Sequence, residues 1–102
     1  MIIHSLEQGL AALSQGGEAI TLESPPGAAG HHGIGWWLAL IRILRQERPL
    51  AEFEAVLDCG DSPGLALEAI EAGVPIIRVG GLSPDMIGRL RAMAALSGSL
   101  IR

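Results

Sequence analysis

VLDCGDSPG, running from Val56 to Gly64, is the passage that decides the fold. A short apolar run ends at Asp58, and Ser62-Pro63 follows at once. Serine is a favoured helix N-cap and proline a favoured first helical residue, so a strand here hands over to a helix. ITLESPPG (Ile20 to Gly27) and IRVGGLSPD (Ile77 to Asp85) repeat the pattern. If the strands are parallel, all three junctions fall on the same edge of one sheet. Open α/β sheets bind ligands at that edge.

Working outward, Ser5 to Gln8 reads as a capping box that opens a helix, with Leu6, Leu10 and Leu13 on one face and Gly16 and Gly17 at its end. Ala19 to Glu23 alternates like a strand. Ser24 to Gly35 is a Pro/Gly/His loop, and a helix follows to about Gln46, stopped by Pro49. Phe53 to Leu57 is the second strand, with Phe53, Val56 and Leu57 expected to be buried. Ser62-Pro63 opens a short helix closed by Gly73. Pro75 to Val79 is the third strand, and Ser83-Pro84 opens a helix to about Leu96. Ser99 to Ile101 fits a short fourth strand. The order α-βα-βα-βα-β predicts a small three-layer α/β domain over residues 1–102, flavodoxin-like or half-barrel in style. Its four-stranded sheet should be mostly parallel, with helices on both faces.

Composition narrows the function. The chain has 102 residues, 49% of them hydrophobic, a net charge of −4 and no lysine. Nucleic acid needs a basic face, and anionic membranes need clustered cations, so neither partner is expected. One cysteine excludes an internal disulfide and suits a reducing compartment. Met1 to His4 has no basic or long apolar character, so no signal peptide is read there. The longest apolar stretch is far short of the ~20 residues that span a bilayer. These features predict a soluble cytoplasmic protein without metal or cofactor.

The three junctions offer helix N-termini with unpaired N–H groups. Neighbouring glycines let a ligand approach the backbone. The expected ligand is a small phosphorylated or carboxylated metabolite, held around Gly27, Gly30, Gly60, Asp61, Ser62, Gly80, Gly81 and Ser83. Asp58, Asp61 and Asp85 would oppose an anion unless paired or coordinating a metal. Chemical groups within reach would be His31, His32 and Cys59. A thiol beside a helix N-terminus can ionise early, although free cysteines are more often small buried hydrophobes. Gly33-Ile34-Gly35 starts like a dinucleotide fingerprint, but Leu38 stands where its last glycine belongs.

Two local resemblances bear on the same edge. AGVPIIRVGGLSPDMI (Ala72 to Ile87) resembles the phosphate-gripping βα unit of phosphate-binding (β/α)₈ barrels. That likeness implies phosphate contacts at Gly80, Gly81 and Ser83. DSPGL (Asp61 to Leu65) resembles the phosphorylatable turn of STAS domains. It implies a regulated interaction module with Ser62 as the modified residue.

The helix from Ile34 to Gln46 is apolar nearly all round, with only Arg42 and Arg45 charged before its end. A surface helix shows one apolar stripe. Adjacent Trp36 and Trp37 point in different directions, so at least one is expected outside the domain's own core. A homodimer interface is the favoured explanation, and a hydrophobic ligand pocket the other. A non-enzymatic, oligomeric interaction module is therefore the alternative to a metabolite-binding domain.

Overall fold

A computed structural model describes residues 1–14 and 19–102. Its elements are α1 (Leu6–Leu13), β1 (Ile20–Glu23), α2 (Ala28–His31), α3 (Ile34–Glu47), β2 (Phe53–Asp58), α4 (Pro63–Glu71), β3 (Ile76–Arg78), α5 (Pro84–Ser97) and β4 (Leu100–Ile101). Gly16 and Gly17, the expected end of the first helix, lie outside the described residues.

Local chemistry explains most helix starts. Ser5 Oγ accepts from Gln8 N, and Gln8 Oε1 reaches back to accept from His4 N. Ser62 Oγ accepts from Leu65 N, with Pro63 opening α4. Ser83 Oγ accepts from Met86 N, with Pro84 opening α5. Each such cap contributes about 1 kcal/mol.

The first Ser-Pro pair behaves differently. Ser24 is 3% exposed and caps no helix. Its Oγ accepts from Asp58 N at 2.8 Å, so it latches the end of β1 to the end of β2. Pro26 is the reason. A residue before proline is pushed out of the helical region, so Pro25 cannot open a helix. The chain turns instead at Gly27, φ +68°, into the single turn of α2.

The sheet has the order β1-β2-β3-β4, and every pair is parallel. Met1 to Ile3 lies along the outer edge of β1. Ile3 N donates to Glu23 O, and Glu23 N donates to Met1 O. The α/β class, the parallel sheet and the alternating order are those the sequence predicts.

The layering is simpler than three layers. α1 packs on α3, α2 on both α3 and α4, and α4 on α5, so the helices form one sheath in which α2 links α3 to α4. Strands added consecutively with right-handed crossovers place every connecting helix on the same side. Trp37, Leu40 and Leu44 of α3 join Leu22, Phe53, Leu57 and Ile77 in the core beneath that sheath. Gly9 lets α1 approach α3, because a Cβ there would stand 2.8 Å from Leu44 Cδ1.

The alternate side chains form the other face, which is ionic. Glu23 of β1 pairs with Arg78 of β3. Glu54 of β2 takes both carboxylate oxygens to Arg102, at 2.8 and 2.9 Å. The first pair bridges past β2, where Val56 is 1% exposed. Arginine stems shield apolar residues in this way while their charged heads stay wet.

Candidate functional site

The C-terminal edge of the sheet brings the three junction loops together. Asp58 organises them. Its Oδ1 accepts from Gly27 N at 3.0 Å and from Gly60 N at 2.8 Å. Gly60 sits at φ +60°, a region that glycine enters without strain. Gly60 O in turn accepts from Gly80 N at 3.0 Å, joining the loop after β2 to the loop after β3. Gly30 N donates to Gly27 O.

Four of the expected glycine donors are therefore spent inside the protein. Those at Gly27 and Gly60 serve Asp58, Gly80 serves Gly60, and Gly30 serves Gly27. Among the described residues, the backbone N–H groups of Gly81, Leu82 and Ser83 have no protein partner. Gly81 has φ +72°, and a Cβ on it would stand 3.6 Å from Asp61 Cβ. Three consecutive free donors thus border the start of α4 as they lead into α5. Ser62 is half-buried, and its hydroxyl is engaged as the cap of α4.

His31 and His32 are both exposed. His31 lies beside Gly27, where a Cβ would meet its imidazole at 3.4 Å. His32 stacks on Trp36 with ring centroids 4.8 Å apart. Trp36 is half-buried, whereas Trp37 is fully in the core. No cluster of three or more His, Cys, Asp or Glu suited to a metal occurs among the described residues. Among them, too, no helix is long and apolar enough to cross a membrane.

Cys59 is 2% exposed and packs in the core. Burial, helped by the Asp58 charge, pushes its thiol up to about 11. Cys59 is thus the small buried hydrophobe that free cysteines usually are, and the early ionisation a helix start can give does not arise, because desolvation disfavours the thiolate. Labelling by iodoacetamide near neutral pH is expected to be slow and to finish only on unfolding. The unfolded chain ionises first, near ~8.5. Stability carried by this thiol is therefore present below that value and lost as pH rises towards about 11. Rapid labelling of the folded protein near neutral pH would contradict this placement.

Sequence reasoning missed two features of the edge. One is the Ser24 latch, which the Pro25-Pro26 pair signals. The other is the organising role of Asp58, signalled by its place two residues before Gly60, since aspartate side chains often bond to backbone two residues on. No protein-family model, curated protein or solved structure matches the chain.

Proposed function

We propose that the chain is a binding domain for a small anionic metabolite, phosphorylated or carboxylated, held at the C-terminal edge of its sheet. The observation that carries this reading is the run of free N–H groups at Gly81, Leu82 and Ser83. Successive backbone donors in a turn conformation form a concavity that binds anions without lysine, and Gly81 at φ +72° supplies such a turn. The dipole of the 14-residue α5 adds positive potential there. The bond between Gly80 and Gly60 holds the turn in place before a ligand arrives.

Phosphate is expected to raise the melting temperature more than chloride at equal ionic strength. At 100 times its Kd, a ligand adds about 2.7 kcal/mol. Gly81→Val should remove the difference between the two salts, because valine resists the backbone conformation at φ +72°. Asp61→Asn should strengthen the phosphate response. A like charge at about 4 Å costs about 1 kcal/mol in water, roughly a fivefold change in affinity. Identical responses to phosphate and chloride in the native chain would end this reading.

A second reading, a self-associating interaction module, rests on a different surface from the tryptophans. β4 is the free edge of the sheet, and Met93, Leu96 and Leu100 are exposed on α5 and β4 beside it. Leu96 is 91% exposed. Apolar groups gathered at a free strand edge favour pairing with another copy. Sedimentation at micromolar concentration should then show a dimer, and Leu96→Glu should yield a monomer. A monomeric native chain would exclude it.

A further inference from the structure

Arg45 stretches from α3 to the first residue of β2. Its guanidinium carbon lies 4.2 Å from the centroid of the Phe53 ring. Its Nη2 donates to Phe53 O at 3.4 Å. Arg42 stands one turn earlier on the same helix. Among the described residues, neither arginine has a carboxylate within ion-pair distance.

Both arginines border a cleft of about 660 Å³. It lies along α3, over the start of β2 and against the turn between α4 and β3. Leu38, Ile41, Pro75 and Ile76 supply its accessible apolar lining, over a floor of the buried Trp37 and Phe53. The gap follows from the helix packing. α3 leans on α1 and α4 leans on α5, so the sheath parts above β2. α2 touches both α3 and α4 and bridges the gap at the other end of the strands. Small-molecule sites occupy about 300–1,000 Å³, mostly apolar with a few placed polar groups.

We propose that this cleft binds a small amphiphilic carboxylate, its apolar body against the half-buried Leu38, Ile41 and Ile76 and its carboxylate on Arg42 and Arg45. The charge argues for an anion, since two unpaired guanidinium groups repel a cation and gain little from an uncharged head. The fork of donors on arginine matches a carboxylate. Glu54 borders the cleft, but its carboxylate is held on the other face of the sheet by Arg102 and does not neutralise the arginines. The helix dipole favours cations near the end of α3. It accounts for the sign of the charge and not for an apolar cleft beside it.

Three probes with one apolar body separate the contributions: octanoate, octan-1-ol and octylamine, titrated into the native chain by calorimetry and tryptophan fluorescence. Octanoate should bind and perturb the fluorescence, octanol should bind more weakly, and octylamine should not bind. The double variant Arg42→Gln/Arg45→Gln should weaken octanoate about tenfold, the loss expected for one charged hydrogen bond. It should leave octanol unchanged. Added salt should weaken octanoate alone. Gly81→Val should leave octanoate binding intact, which separates this cleft from the phosphate site. Equal binding of octanoate and octanol, unaffected by the double variant, would reduce the cleft to a greasy surface and overturn the proposal. So would the absence of any octanoate signal.

Discussion

Trp37→Ala is expected to lower the stability of the chain by about 3–5 kcal/mol, the usual loss for emptying a large aromatic site in a core. The indole is 1% exposed and packs with the residues that join α3 to the sheet. Domains of this size are stable by only about 5–15 kcal/mol. One substitution would therefore remove a large share of the total, and the melting temperature should fall by about 15–30 °C. Trp36→Ala is the control. Trp36 is half-buried and stacks on the exposed His32, so its removal should cost about 1 kcal/mol. Urea unfolding of both variants checks the contrast. Equal losses would mean that α3 does not meet the sheet through Trp37. Acrylamide quenching adds an independent reading, since only the Trp36 emission should be accessible.

The same helix shows where sequence reasoning succeeds and where it stops. Its boundaries are local matters. Pro49 ends it, and the Ser-Pro pairs at Ser62 and Ser83 start the next two helices, so the alternation of strands and helices was readable from single segments. Which side each helix takes is not local. The strands carried that information in Glu23, Glu54 and Arg78, which alternate with core residues and now pair, with Arg102 as the partner of Glu54, across a face that bears no helix among the described residues. An expectation of helices on both faces overlooked those charges. The location of the glycine-rich edge was also readable. Which of its N–H groups stay free was not, because Gly27 is tied to Asp58, 31 residues away, and Gly80 to Gly60 in another loop. The cleft beside Arg45 was least readable of all. It depends on how far apart two helices settle, and neither helix encodes that distance alone.

Asp58 is the test of how far the edge depends on one side chain. Asp58→Ala would leave Gly27 N and Gly60 N, both now bonded to Oδ1, without an acceptor. Hydrogen bonds to a charged group contribute more than neutral ones, and stranded donors add a desolvation cost, so about 2–4 kcal/mol should be lost. Asp58→Asn separates geometry from charge. An asparagine oxygen can keep both bonds in neutral form, so about half that loss is expected. Cys59 reports on the charge independently. Asp58 is the lesser of the two causes that raise its thiol, after burial. Alkaline labelling of Cys59 should therefore quicken in Asp58→Asn while remaining slower than in the unfolded chain. The phosphate response discriminates further. If Asp58 holds Gly60, and Gly60 holds Gly80, then Asp58→Ala should weaken phosphate stabilisation at Gly81 to Ser83 although Asp58 never touches the anion. Asp58→Asn should preserve it. A phosphate response in Asp58→Ala as strong as in the native chain would show that the turn after β3 is organised without the loop after β2, and the chain of bonds from Asp58 to Gly80 would carry no functional weight.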